Sequence, residues 1–338
     1  MAEVRILCAK DIEKLFTLDM AVQAVENAYR QKSNGDGCIW PMVFHEFVHG
    51  QADLDIKSGD LKRERIFGLK VVSLYGTNEA KGLPELFGTS LLFDRETGAP
   101  KAMLNAGPVT GLRTGAAGAI GAKYLARRDA EKLLMIGCGA QSACLIAATL
   151  FVLPQIQTVW LANPRNPQKA AQRLQTLKEK VMTLLADSGA ERQFTISAVS
   201  DFERAVRGSD VILTATPSYE PIIQADWVKP GTHISCIGAD MTGKEELDPS
   251  LMGKALVFGD DRTQCFTVGE CEVPHRMGLL PELQAEIGDV ILGKARGRQN
   301  PEDITVFDST GIALQDLASA SVILDAAEAA GIGTVTEL

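Results

Sequence analysis

The 338-residue sequence contains no run of about 18 apolar residues, so it offers no conventional membrane-spanning helix. Its first residues, Met1-Ala-Glu-Val-Arg-Ile6, lack a charged and then apolar leader pattern, and a cytoplasmic protein is expected. Basic residues are not in excess: 34 Lys and Arg against 43 Asp and Glu give a formal charge of -9, which speaks against a nucleic-acid partner. The acids are spread along the chain instead of forming a tail, so small-molecule partners are favoured. Seven cysteines form an odd set without paired spacing, which excludes a disulfide framework and points to reduced, mostly buried thiols. Cys265, Cys271 and His275 lie close together, but C-x5-C-x3-H matches no zinc spacing and a fourth ligand is missing, so no metal is expected. Internal repeats and low-complexity segments are absent as well. What remains is ordinary globular composition, 46% hydrophobic and 23% charged, in a chain long enough for two domains with their own cores.

The most informative stretch is Leu133-Leu-Met-Ile-Gly-Cys-Gly-Ala-Gln-Ser-Ala-Cys-Leu-Ile-Ala-Ala-Thr149. An apolar run stops at two glycines spaced by one residue and resumes with helical periodicity, which reads as strand, tight turn and helix. Gly137 allows the turn and Gly139 lets a pyrophosphate approach the backbone, where amides at the helix start, including those of Ala140 and Gln141, stabilise negative charge. Ser142 stands where the third glycine of G-x-G-x-x-G is usual, so the motif alone does not decide between a dinucleotide site and a plain strand-turn-helix. The following segments alternate strand and helix: strands at 158–162, 194–198, 210–215, 233–237, 256–258 and 305–307, with helices at 165–186, 202–206, 282–292 and 311–329. That alternation predicts an α/β, doubly wound parallel sheet of Rossmann type. Thr214-Ala215-Thr216 ends one strand and Asp240 follows another, so both fall beyond the carboxyl ends where open α/β sheets hold ligands. At the end of the second strand an acid would bind ribose hydroxyls and favour NAD. Instead Asn163 does not repel a 2′-phosphate and Arg165 is placed to bind one, so both cofactors stay open with NADP favoured.

The first third has a different pattern. Residues 20–29 are amphipathic and stop at Ser33-Asn34-Gly35-Asp36-Gly37, a helix end. Short β-prone runs follow at 42–47, 54–57, 66–74, 89–93 and 100–104, predicting an antiparallel sheet or partial barrel. A long helix from Gly107 to about Ala126 holds glycines within Thr110-Gly-Leu-Arg-Thr-Gly-Ala-Ala-Gly-Ala-Ile-Gly121. Each costs about 1 kcal/mol in a helix relative to alanine, which implies close packing against a neighbour or ligand. Arg113 is the lone charge in this setting, either buried at a site or facing solvent at the helix edge.

Several stretches together resemble the ornithine cyclodeaminase/μ-crystallin family: Phe67-Gly-Leu-Lys70, Leu112-Arg-Thr-Gly115, Ile136-Gly-Cys-Gly-Ala-Gln141, Trp227-Val-Lys-Pro-Gly231, Gly238-Ala-Asp240 with Gly243-Lys-Glu-Glu-Leu247, Glu286-Ile-Gly-Asp-Val290, and Phe307-Asp-Ser-Thr-Gly311. The match keeps its order over about residues 40–320. The resemblance implies an NAD(P)-binding Rossmann domain (126–310) inserted in an α+β substrate-binding and dimerisation domain (1–125 plus 311–338), in a homodimer. It implies hydride exchange between a substrate Cα and the nicotinamide, with Lys70 and Arg113 on the substrate carboxylate, Asp240 as acid/base, and Ser309 and Gly311 beside the cofactor. A carboxylate in a closed, partly dry site has its pKa raised toward the working pH, which suits the role given to Asp240.

One departure matters. Where members often carry a carboxylate-binding arginine two residues after a proline, Pro41-Met-Val43 has valine, and where many carry Met-Pro this chain has Asp55-Ile-Lys-Ser58. Asp55 and Lys57 share a strand face. Lys57 is expected to replace the missing cation, for the α-carboxylate or for a second acidic group, whereas Asp55 lies where cyclodeaminases hold an acid for a distal amine. A salt bridge of no catalytic importance is the remaining alternative. The expected activity is an L-amino-acid dehydrogenase or imine reductase acting on a small amino-acid, keto-acid or imine substrate. The alternatives are a redox-neutral ornithine cyclodeaminase that forms L-proline and ammonia, and an NADP-regulated ligand-binding protein.

Overall fold

Strand periodicity in the first third, and strand-helix alternation in the middle, each build a sheet of their own. The computed structural model describes residues 2–338. In chain order the first part comprises β1 (Glu3–Leu7), α1 (Ala9–Leu15), α2 (Leu18–Asn34), β2 (Gly37–Ile39), β3 (Val43–Val48), β4 (Ala52–Leu61), β5 (Ile66–Tyr75), β6 (Leu86–Asp94), β7 (Pro100–Asn105) and α3 (Ala106–Leu125). The middle comprises β8 (Lys132–Ile136), α4 (Ser142–Val152), β9 (Thr158–Ala162), α5 (Pro167–Asp187), β10 (Thr195–Ala198), α6 (Phe202–Gly208), β11 (Val211–Thr214), β12 (Tyr219–Ile223), β13 (His233–Cys236), β14 (Glu245–Leu247), α7 (Pro249–Met252) and β15 (Leu256–Gly259). It continues through α8 (Arg262–Val268), α9 (Glu272–Arg276), β16 (Ala285–Glu286), α10 (Ile287–Ile291) and β17 (Thr305–Asp308). The chain ends in α11 (Ala313–Ala330) and β18 (Thr334–Glu337).

The chain divides into two compact units, Met1–Arg113 with Ile312–Leu338, and Thr114–Gly311. In the first, the strands run in the order β18-β1-β7-β6-β5-β4-β2, with β3 paired to β4. Helix α2 buries Leu18, Val22, Val25 and Tyr29 at helical spacing, and Gly35, at φ 75°, closes it in the left-handed conformation a glycine adopts without strain. Helix α11 packs on the same sheet, where side chains on Gly59 and Gly68 would run into Leu314 and Leu317. In the second unit, β10-β9-β8-β11-β13-β17-β15-β16 form an all-parallel sheet. Strands β11, β13 and β17 are buried along their whole length, as expected of a sheet covered on both faces.

Three expectations are corrected. Strands β1, β2 and β18 were not anticipated, because each is only three to five residues long: β1 lies parallel to β7 and antiparallel to β18, which forms the sheet edge. Residues 282–292 do not form one helix, since Ala285 and Glu286 pair with Phe258 and Gly259 as a parallel edge strand and leave only Ile287–Ile291 helical. Strand pairing here overrides local helical periodicity. The division between units falls inside α3, between Arg113 and Thr114, not at residue 125.

The reason lies in the glycines of α3. A Cβ on Gly115 would stand 2.5 Å from the carbonyl oxygen of Cys144 in α4, and one on Gly118 would stand 2.7 Å from Leu145. Gly115→Ala gains about 1 kcal/mol of helix propensity but forces two backbones apart, which costs about 1–3 kcal/mol. Net destabilisation of up to about 2 kcal/mol is expected in urea unfolding of this variant.

Candidate functional site

Strand β8 ends at the point where the sheet order reverses: β9 lies on one side of it and β11 on the other. Ligands of open α/β sheets bind at such a switch point. Gly137 makes the turn with φ 105°, and a Cβ there would stand 2.5 Å from the carbonyl oxygen of Ala215, so no other residue fits. Gly139 meets nothing within 4 Å, which leaves its backbone open to a ligand. Ser142, at the third glycine position, is buried and its hydroxyl donates to the Gly137 carbonyl at 3.0 Å, so the residue that departs from the glycine pattern fastens the turn. The amides of Gly139, Ala140 and Gln141 have no hydrogen-bond partner among the described residues. Three N–H groups without partners at the start of an 11-residue helix are the kind of arrangement that stabilises an anion.

Beside them a cavity of about 330 Å³ is lined by Gly137, Cys138, Gly139, Asn163, Pro164, Arg165, Asn166, Lys169, Ala215, Thr216, Pro217 and Ile222. Its charged residues are Arg165 and Lys169, and no acid lines it. The Arg165 guanidinium donates to Ser218 at 3.0 Å, and Asn163 donates to the Cys138 sulfur at 3.3 Å. Thr214 is brought near but not into this cavity: it is fully buried and its hydroxyl donates to Glu246 at 2.5 Å. Ser309 and Gly311 also lie outside the lining, their hydroxyl and amide donating to buried Asp260 at 3.2 and 2.9 Å. Asp240 follows β13 on the same rim of the sheet as the glycine turn, about half exposed and paired with Lys244 at 2.7 Å. The dry surroundings expected for it are therefore not present: solvent and a lysine both reach the carboxylate.

Sequence reading missed Glu246. Its carboxylate accepts from the hydroxyl of Thr214, from the amide and hydroxyl of Thr216 at 2.8 and 2.7 Å, and from the amide of Gly238 at 3.0 Å. It thereby ties together the loops that leave β11 and β13. Glu270 in turn accepts from the amides of Glu246 and Leu247, and burial, then the charge of Glu246, pushes its carboxyl well above the usual range.

The first unit holds a second cluster. Lys70 is 2% exposed on β5 and its ammonium lies 2.9 Å from Asp316 Oδ1 of α11, while Arg113 Nε of α3 lies 3.1 Å from the same oxygen. Arg113 also donates to Gln315 at 3.0 Å, and Gln315 donates to Tyr29 of α2 at 2.7 Å. Burial and then the charge of Arg113 lower Lys70 to about 8, against the pull of Asp316. Burial raises Asp316, but Arg113 and Lys70 outweigh it and hold the carboxyl below its ordinary value. The other oxygen of Asp316 and the hydroxyl of Ser90, which sits opposite Lys70 on β6, are buried without a hydrogen-bond partner. Lys57 faces Lys70 across the β4–β5 pairing, and Asp55 lies two residues along on the same side. Asp316 went unnoticed in the sequence, although a lone acid in Ala313-Leu-Gln-Asp-Leu-Ala318 is the natural partner of two lone cations.

A profile of the ornithine cyclodeaminase/mu-crystallin family matches residues 2–331. The chain belongs to this family. Three solved structures share the fold over nearly all of both chains. An archaeal alanine dehydrogenase dimer with bound NAD is 37% identical, with 99% of each chain covered and a TM-score of 0.87. Iminosuccinate reductase of Paracoccus denitrificans in complex with NAD+ is 31% identical, covering 99% of this chain and 100% of that one, with a TM-score of 0.89. The Δ1-pyrroline-2-carboxylate reductase of Thermococcus litoralis, in complex with NADH and L-proline, is 29% identical, covering 98% and 99%, with a TM-score of 0.88.

Glu246→Ala strands two backbone amides and two hydroxyls. A loss of about 2–4 kcal/mol is expected in urea unfolding, together with weakened dinucleotide binding in a fluorescence titration.

Proposed function

We propose that the protein is an NAD(P)-dependent amino-acid dehydrogenase or imine reductase. The observation that carries this reading is the convergence of buried Lys70 and Arg113 on one oxygen of Asp316, beside polar atoms that still lack partners. Two cations share one anion, so a substrate carboxylate completes the charge balance and is held in one orientation. The free amides at Gly139–Gln141 and the cation-lined cavity fit a dinucleotide, and the family members solved with NAD, NAD+ or NADH support it. The nicotinamide, when bound, supplies the hydride chemistry. In the reductive direction ammonia condenses with a keto acid and water leaves; the imine then takes hydride at Cα and a proton at nitrogen. Lys70 and Arg113 hold the carboxylate, and Asp240 exchanges the proton on nitrogen or on attacking water, its exposure giving that proton a route to solvent.

We assign substrate binding and dimerisation to the first unit and cofactor binding to the second. A homodimer is supported by the exposed apolar side chains of β3, where Val43, Phe44, Phe47 and Val48 are each about half exposed. NADP is favoured over NAD because Arg165 and Lys169 line the cavity with no acid to repel a 2′-phosphate. All seven cysteines are free, and no helix among the described residues is long and apolar enough to cross a membrane. Free thiols suit the reducing cytoplasm. Asp55 favours one second reading, a cyclodeaminase in which it holds the distal amine of ornithine.

Stoichiometry separates the two. Oxidation of NADPH or NADH with ammonia and a keto acid, matched mole for mole by amino acid, is expected; proline and ammonia from ornithine without net cofactor change would replace this reading with the other. The pH dependence has a fixed sign. Lys70 is cationic below about 8 and loses its charge above, so kcat/KM is expected to be fully developed below that pH and to fall as pH rises through it.

A further inference from the structure

We infer that Lys244 is a positioning residue for the reaction: it holds Oδ1 of Asp240 and so leaves Oδ2 as the oxygen that exchanges the proton. The inference rests on the acid/base role given to Asp240 above and names the group that orients it. The Lys244 ammonium lies 2.7 Å from Asp240 Oδ1. Exposure is uneven across the pair, 13% for the lysine side chain and 51% for the aspartate. A flexible ion pair in water contributes little, because two mobile side chains must be fixed to form it. A lysine already packed away has lost most of that freedom, so its charge is presented from a fixed place. A carboxylate left alone turns about its last torsion with little preference. An ammonium on one oxygen removes that freedom and aims the other.

The segment that carries the pair is itself closed. Its ends are joined where the amide of Gly238 donates to the Glu246 carboxylate at 3.0 Å. Between them the Lys244 amide donates to the Met241 carbonyl at 3.2 Å, and Gly243 takes a φ of 82° to make the turn. Helices α8 and α9 pin this turn from outside. The Thr242 hydroxyl donates to the Thr267 carbonyl at 3.3 Å, and the Gly243 amide donates to Glu272 at 2.6 Å. The neighbouring acids are served by a different cation. Arg276 lies 2.9 Å from Glu272; burial raises the Glu245 carboxyl, and the charge of Arg276 works against that rise. Among the described residues Lys244 has one ion-pair partner, Asp240.

The test is a double-mutant cycle on the full-length protein with Lys244→Met, Asp240→Asn and the two combined. Turnover is read as NAD(P)H oxidation with ammonia and whichever of pyruvate, oxaloacetate and 2-oxoglutarate reacts fastest. Cofactor affinity is read separately, by fluorescence titration with NADH or NADPH. Asp240→Asn is expected to lower kcat about 100-fold or more. Lys244→Met alone should lower kcat about 10-fold or more, with KM and cofactor affinity each within about 2-fold of the unmodified chain. Added to Asp240→Asn, it should change kcat by less than about 2-fold, because Lys244 acts only through that carboxylate. An undiminished loss in the double variant, an unchanged kcat in Lys244→Met, or a loss of cofactor affinity alongside it overturns the role of Lys244 and leaves the oxidoreductase reading standing. Full activity of Asp240→Asn overturns the acid/base role and this inference with it, whereas no cofactor oxidation with any keto acid overturns the oxidoreductase reading too.

Discussion

The first unit depends on the shared oxygen of Asp316. Burying an ammonium and a guanidinium together is costly, and like charges this close repel. One carboxylate between them makes the arrangement tolerable, and the bond from Arg113 through Gln315 to Tyr29 extends it. Four elements, α2, α3, β5 and α11, are thereby locked around Lys70. The compensation is incomplete: Asp316 Oδ2 and Ser90 Oγ stay unpartnered, and positive charge remains in excess. A core built only for stability would satisfy these groups or replace them with apolar side chains. Leaving them open fits the proposed role of this cluster, a site that a charged ligand completes.

The second unit solves a different problem, that of holding a turn still while keeping its amides free. Gly137 takes the conformation only glycine tolerates, and the Ser142 hydroxyl ties the turn from behind. Glu246 then fixes the neighbouring loops by accepting from Thr214, Thr216 and Gly238. Buried in this way it has no hydrogen-bonding capacity left for a ligand, so its contribution is to position Thr216 at the cavity wall and the Gly238 loop that leads to Asp240. Small residues in α3 serve the same end from below, since Gly115 and Gly118 let α4, the helix that follows the turn, come close.

The sequence showed those parts of the architecture that rest on local periodicity or on glycine chemistry. The parallel sheet, the amphipathic α2, the five strands β3 to β7 of the first sheet and the glycine turn each follow from spacing within one segment. Residues 282–292 were misread because their fate is decided by pairing with β15, which no local pattern records. Lys70 and Arg113 were visible as isolated charges in apolar runs; Asp316 is the same kind of lone charge in α11 but went unread, and only the fold shows that the three meet. Glu246 carried no such signal: it follows another glutamate in a polar stretch, and its burial comes from the closing of β14 on β12. Thr214, Ser309 and Gly311 lie at the expected strand ends, yet their polar groups are spent on buried carboxylates.

The central claim is that Asp316 keeps Lys70 cationic so that it can hold a substrate carboxylate. The direct measurement is the pH dependence of kcat/KM in Asp316→Asn, with circular dichroism confirming that the variant is folded. Without the carboxylate, Lys70 loses the one charge that raises its pKa and keeps the burial, Arg113 and Lys57 that lower it. The alkaline fall is predicted to move below the value of about 8 set by Lys70 in the unmodified chain, by roughly one pH unit or more. A folded variant whose alkaline limb stays where it was would contradict the account.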